Sequence, residues 1–227
     1  MTIQLKENIS RAYRYELRQK EAELAELQTK FNPHFLYNSL EMLRSRCHQN
    51  GDSKTAELIT QLSGIFRGFI GSKTFIPLQE ELSFSQRYLA LFSARYNDNV
   101  RIRYHFDREL FQYGIIRNVF QLLIENYFVH GFDNSTEDNY ILLSGTSLDD
   151  RTMLLTVEDN GCGMTDEEIS ALNTSLHEPI QLGTESYGLK NLHQRLILFY
   201  GDNCGLKIVR NEVKGISVHM TVLKMTC

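Results

Sequence analysis

The sequence predicts an α+β protein: a coiled-coil segment, a helical hairpin, then a mixed sheet with its helices segregated to one face. Three observations carry that prediction. Apolar residues recur at alternating spacings of 4 and 3 through the N-terminal part of the chain. Period-2 alternation appears from residue 99 onward. The element order inferred there is strand, helix, strand, strand, long loop, helix, strand, strand, which suits a layered sandwich.

The elements follow in order. Tyr13, Leu17, Lys20, Leu24, Leu27 and Phe31 are spaced 4, 3, 4, 3, 4, a coiled-coil seam with one lysine in it. Residues 1–30 therefore read as a signalling helix. The apolar series then restarts at Leu36, Leu40, Leu43 and Cys47, so the stripe changes phase at Pro33. A proline inside a helix removes one backbone hydrogen bond and presses on the preceding turn, which predicts a bend. Past the bend His34 lies about 200° around the helix from Leu36. It shares a polar face with Asn38 and Glu41. The run "HQNGDSK" stops this helix near Gly51, and Asp52 or Ser53 can cap the next. Leu58, Leu62, Ile65, Phe66 and Phe69 give that second helix one apolar side. A hairpin over 31–75 with a single apolar face cannot bury that face alone, and a four-helix dimer is the natural solution.

Leu78, Leu82, Tyr88, Leu89 and Phe92 predict an amphipathic linker helix over 76–98. The remaining domain covers 99–227. "VRIRYHF" alternates with Val100, Ile102, Tyr104 and Phe106 on one face. "GIIRNVFQLLIENYFVHGF" reads as helix throughout, with Ile116, Phe120, Leu123 and Ile124 on its apolar side. "YILLSGTSL" and "RTMLLTVED" read as strands around the turn Asp149-Asp150. Residues 160–187 read as a long loop with a short helix at 165–173, and such length suggests a lid. "YGLKNLHQRLILFYG" is helical to Gly201, and "GLKIVR" with "ISVHMTVLK" closes the sheet as a hairpin.

Composition narrows the function. A net charge of -4 argues against a nucleic-acid partner, since phosphate-neutralising surfaces are basic. Cys47, Cys162, Cys204 and Cys227 form no CxxC pair, so neither a zinc site nor a disulfide framework is suggested, and reduced thiols fit a cytoplasmic setting. No apolar run is long enough for a membrane span, and the N-terminus lacks a signal-peptide core.

The chemistry gathers around the long loop. "VEDNGCGM" puts Asp159 at a strand end, where a carboxylate can accept from an exocyclic amine such as that of adenine. Gly161 and Gly163 let the backbone approach a flat ring closely. Gly183 and Gly188 precede or open a helix whose free amides suit phosphate. "IENYFVHG" carries Glu125, then Asn126 and His130 at i, i+4, and an amide oxygen facing phosphates can complete a Mg²⁺ shell. Each piece alone has a plain structural reading: a hairpin turn, a satisfied amide, a surface histidine. Their combination and order are what point to a nucleotide site.

With those pieces in place, the chain resembles the cytoplasmic part of LytS/YesM-type sensor histidine kinases from about residue 22 onward. "NPHFLYN" resembles their phosphoacceptor box, "IENYFVHG" their asparagine box, and "DNGCG" and "YGLKNLHQRL" their two glycine boxes. "LQEELSFSQRYLALFSAR" resembles their linking segment. The resemblance implies a Bergerat-type (GHKL) ATP-binding sandwich, a dimerising hairpin, and ATP with Mg²⁺ as ligands. It implies autophosphorylation of His34, with Glu125 orienting or deprotonating the ring, and Asn38 beside it on the helix. Asn126 matches the magnesium-binding asparagine, and Asp159, Gly161, Gly163 and Gly188 match nucleotide-contacting positions. His130, Leu189 and Asn191 fall within the same boxes and complete the implied cofactor-binding set. The implied partners are a second copy and the receiver domain of a response regulator, whose aspartate takes the phosphoryl group. The parent receptor would be anchored in the membrane, with this chain as its cytoplasmic portion.

The sequence also departs from the family. Val129 stands where a lysine is frequent, Tyr127 where a small residue is frequent, Leu122 where proline is frequent, and Ser186 where the last box has its first glycine. A nucleotide-sensing dimeric scaffold without efficient kinase activity is therefore the alternative. A Bergerat ATPase or serine kinase without phosphohistidine is a third reading, which "NPHFLYN" disfavours.

Overall fold

The computed structural model describes residues 33–69, 74–96, 99–133, 135–136, 138–178, 187–211 and 214–226. The predicted coiled coil at 1–30 lies outside these residues. The chain divides into two compact units, Met1–Ile70 and Gly71–Cys227.

In the first unit, helix α1 (Pro33–Gln49) and helix α2 (Ser53–Phe69) pack against each other. Gly51 takes φ +76 at the turn, a backbone conformation that suits glycine just past a helix end. Asp52 caps α2 as expected: its carboxylate accepts the Thr55 N–H at 3.0 Å. Pro33 is the first described residue of α1, so the bend expected there lies outside the described residues. Leu40, Cys47, Leu58 and Leu62 are half-buried, while Leu43 stays 47% exposed.

In the second unit, β1 (Phe75–Pro77) leads into helix α3 (Leu78–Arg95). Strand β2 (Arg101–Phe106), a 3₁₀ turn (Arg108–Gln112) and β3 (Tyr113–Ile116) follow. Helix α4 (Val119–Asn126) widens into a π-helical turn at Tyr127–Gly131. Then come β4 (Tyr140–Ser147), β5 (Thr152–Asp159), α5 (Asp166–Ser175), α6 (Tyr187–Tyr200), β6 (Gly205–Arg210), β7 (Ile216–Leu223) and β8 (Met225–Thr226). The main sheet runs β2-β4-β5-β7-β6, with β2 parallel to β4 and every other pair antiparallel. This is the mixed sheet the alternation predicted. Ile141 and Leu143 of β4, Met153, Leu155 and Val157 of β5, and Val218, Met220 and Val222 of β7 form the buried face. Helix α4 packs on β5, and α6 on β6 and β7. Asn173 of α5 covers the edge strand β6: its amide exchanges hydrogen bonds with the Ile208 backbone at 2.7 and 2.9 Å.

Two expectations are corrected. The segment 114–116 is strand, not helix, because Phe75, Ile76 and Pro77 pair with Ile116, Ile115 and Gly114. That pairing builds a second, three-stranded sheet, β1-β3-β8. Asn118 at φ +63 then separates strand from helix, and α4 starts at Val119. Tyr104 does not join a buried face; it is 38% exposed on the edge strand β2. The short helix of the long loop forms as α5, capped by a reciprocal Thr165–Glu168 pair. No helix of the described residues is long and apolar enough to cross a membrane.

Candidate nucleotide site

The site is built around the C-terminal end of β5. Alternation along this strand puts Asp159 on the same buried face as Met153, Leu155 and Val157. Burial of that carboxylate raises its pKa to about 6; the Gly161 and Ile216 backbone amides oppose the rise, and the charge of Glu158 adds to it. The Gly161 N–H donates to Oδ1 at 2.8 Å. Among the described residues no cation pairs with Asp159. A buried carboxylate in this state is an acceptor for a neutral donor that arrives with its own N–H.

The next residues are fixed by close backbone approach. A Cβ on Gly161 would stand 2.2 Å from the Gly131 carbonyl oxygen, so no larger residue fits without movement of the chain. The Cys162 N–H donates to that same carbonyl at 2.8 Å. The π-helical turn after α4 is thereby stitched to the loop after β5. On the other flank, a Cβ on Gly215 would meet the Asp159 carbonyl oxygen at 2.0 Å, and one on Gly163 would meet the Gly215 nitrogen at 3.2 Å. Asn211 Nδ2 donates to the Asp159 carbonyl at 2.6 Å, and its Oδ1 accepts from Ser217 Oγ at 2.8 Å. The turn at 127–131 and, from the other flank, Asn211 and Gly215 thus both close on the segment 159–163.

Helix α4 supplies the next group. Asn126 is half-buried, and its Nδ2 is buried without a hydrogen-bond partner among the described residues. That N–H donor is not consumed by the described fold. Glu125 is half-buried and held: the Tyr88 hydroxyl donates to its Oε1, and Gln121 Nε2 donates to the same oxygen at 3.0 Å. His130 and Val129 are exposed, the latter by 70%. Gly188, at the start of α6, lies over Leu122 of α4, and a Cβ there would stand 2.8 Å from Leu122 Cδ1. Leu189 and Asn191 are half-buried beside it. Gly183 and Ser186 lie outside the described residues. His34 and Asn38 stand one turn apart on α1, in the hairpin unit, with Asn38 exposed.

The structure brings Asp159, Gly161 and Gly163 together with the end of α4, and packs Gly188 on the same helix. Several participants had escaped sequence reasoning. Tyr88 sits at an apolar helix position in α3, and the sign it offers is a phenol that needs a partner when buried. Gly215, at φ +90, is a glycine outside the expected boxes, and Gly131 closes the asparagine box without having been given a role. Lys190 is buried between Leu189 and Asn191, with Nζ 3.4 Å from Glu178.

The donor set fits a nucleotide with its magnesium ion. There is a buried acceptor for a base on β5, and on α4 there is Asn126, whose Oδ1 would be the Mg²⁺ ligand while its Nδ2 is the atom without a partner among the described residues. A self-sufficient metal cage is not needed for such a site. No group of three or more His, Cys, Asp or Glu that could hold a metal occurs among the described residues.

Residues 22–100 match the family model for histidine kinases. The sensor protein LytS of Staphylococcus haemolyticus is 34% identical over 196 residues, 86% of this chain and 33% of that protein. LytS of Bacillus subtilis is 33% identical over 205 residues, 89% of this chain and 34% of that protein. The catalytic domain of the histidine kinase ThkA aligns with 18% identity and a TM-score of 0.49, covering 67% of this chain and 97% of that one. The chain spans about a third of the length of the curated relatives it matches.

Proposed function

The chain is a relative of the LytS-type sensor histidine kinases over most of its length, and from that premise we propose that it binds ATP at the Asp159 site and autophosphorylates on His34. The observation that carries the reading is the buried Asp159 carboxylate, unpaired by any described cation and walled by Gly161 and Gly131.

In this reading Asp159 accepts from the base amine, and Gly161 and Gly163 give the ring its wall. Asn126 would hold a magnesium ion through its Oδ1, and that ion would supply charge neutralisation at the phosphates. A neutral ring nitrogen of His34 forms a bond to the γ-phosphorus as the bond to the β–γ bridging oxygen breaks, and ADP departs with that electron pair. The ring's displaced proton passes to Glu125, which Tyr88 and Gln121 hold in position. The phosphoryl group then moves to an aspartate of a response regulator. A second copy of the hairpin completes a dimer, and a membrane-anchored sensor precedes the chain in its parent protein.

Val129 supports a second reading. At 70% exposure it is an apolar side chain where the resemblance implies a phosphate-neutralising lysine. A dimeric scaffold that senses nucleotide without transferring phosphate would tolerate it. Incubation with γ-labelled ATP and Mg²⁺ separates the two. Label that is acid-labile and base-stable supports the kinase; nucleotide binding with no label supports the scaffold.

A further inference from the structure

Tyr127 follows Asn126 directly, and its side chain is almost fully enclosed, at 3% exposure. Gly131 shows where the ring lies. A Cβ built on Gly131 would meet Tyr127 Cδ2 at 3.2 Å and Asp159 Oδ1 at 3.6 Å. Ring edge and carboxylate oxygen therefore crowd the same α-carbon, and the missing side chain of Gly131 is what leaves room for both. The phenol hydroxyl is buried and finds no hydrogen-bond partner among the described residues. Burial raises its pKa above the ordinary range, and the neighbouring Asp159 and Cys162 charges add to that, so the hydroxyl keeps its proton. The Tyr127 ring and the carboxylate assigned to a base thus flank one glycine, with the phenol O–H not bonded to that carboxylate.

The ring is also held from behind. Its centroid lies 5.1 Å from that of Phe128 and 6.1 Å from that of Phe132, both edge-on. Phe128 in turn packs on Phe92 and Tyr96 at 4.8 and 5.2 Å. The position of the phenol is therefore tied, ring by ring, to the C-terminal half of α3 and the residue that ends it.

We propose that Tyr127 is a gate on the base pocket: its phenol fills the space in front of Asp159, and a nucleotide base enters only when the ring turns out. The proposal rests on the assignment of Asp159 as base acceptor. Its consequence is quantitative. Apparent affinity falls by the fraction of molecules whose pocket is open, so a small open fraction means a weak resting affinity. Nucleotide occupancy then reports the packing of α3 as well as nucleotide concentration.

The test is calorimetric titration of the full chain with ADP and Mg²⁺. Wild type, Tyr127→Ala, Tyr127→Val and Asp159→Asn are compared, with folding of each checked by circular dichroism. The expected result is binding tightened ~10-fold or more in Tyr127→Ala. Tyr127→Val, which keeps more buried apolar volume, is expected to shift in the same direction and serves if the alanine variant unfolds. A folded variant that binds no tighter than wild type, while Asp159→Asn weakens binding, overturns the gate and leaves the nucleotide site standing. Absence of binding in wild type and in both Tyr127 variants overturns the site and the gate together.

Discussion

At the scale of single residues, the proposed chemistry rests on Asp159 and Glu125, and each is defined by what it lacks or holds. Asp159 is buried with no described cation, and burial lifts its pKa to about 6 against its backbone donors. The sign follows from the direction of the shift. The folded pKa exceeds the unfolded one, so the neutral form favours the fold, and that contribution is lost as pH rises through about 6. Binding of a base amine has the opposite requirement, since it needs the carboxylate. Nucleotide affinity is therefore predicted to fall about tenfold per pH unit below that value. Titrations at several pH values check this, and Asp159→Asn is predicted to bind weakly with little pH dependence. Glu125 is held by Tyr88 and Gln121. Removing the Tyr88 hydroxyl with Tyr88→Phe leaves the nucleotide pocket whole but frees the carboxylate. The expected outcome is a rate of self-labelling lowered roughly 10–100-fold with KM for ATP unchanged, as small misplacements of a positioned group produce. A rise in KM with an unchanged rate would give Tyr88 a different role.

At the scale of elements, α4 is the pivot, and its N-terminus rests on a buried carboxylate from α3. Glu81 is fully buried and accepts the Asn118 and Phe120 N–H groups at 3.0 and 3.3 Å. Burial lifts its pKa to about 7 against those bonds. Because the folded value lies above the unfolded one, stability from this group is full at low pH and declines as pH rises through about 7. Glu81→Gln keeps an acceptor and removes the titration. Melting curves between about pH 5 and pH 8 should decline less steeply for this variant than for wild type. The elements also show what the sequence could and could not convey. The strands β4, β5, β6 and β7, and the helices α5 and α6, were legible because alternation, caps and terminal glycines agree locally. The strands β1 and β3 were not, because each is short and defined only by its partner across the small sheet. Apolar "GII" continuing toward "VFQLLI" looks helical until the left-handed Asn118 interrupts it. The site divides in the same way. Asp159, Gly161 and Asn126 were readable from their order in the chain. The closures made by Gly131, Gly215 and Tyr88 depend on distances between segments far apart in sequence.

At the scale of the whole molecule, the chain has a hairpin unit carrying His34 and a sandwich unit carrying Asp159. Leu43 and Met42 of the hairpin are 47% and 56% exposed in the single chain. Covering the Leu36, Leu40, Leu43 stripe together with Leu58 and Leu62 predicts a dimer in light scattering at micromolar concentration; a persistent monomer there would remove the four-helix arrangement. In the proposed reading, the departures at Val129 and Tyr127 bear on how fast phosphate is transferred and how tightly nucleotide is held, and leave His34 as the acceptor. That makes the acceptor the most direct point of attack. Wild type and His34→Gln are incubated side by side with γ-labelled ATP and Mg²⁺, and ATP affinity is measured on both samples. The account predicts acid-labile, base-stable label on the wild type, none on His34→Gln, and equal affinity in the two. Undiminished label on His34→Gln would contradict it.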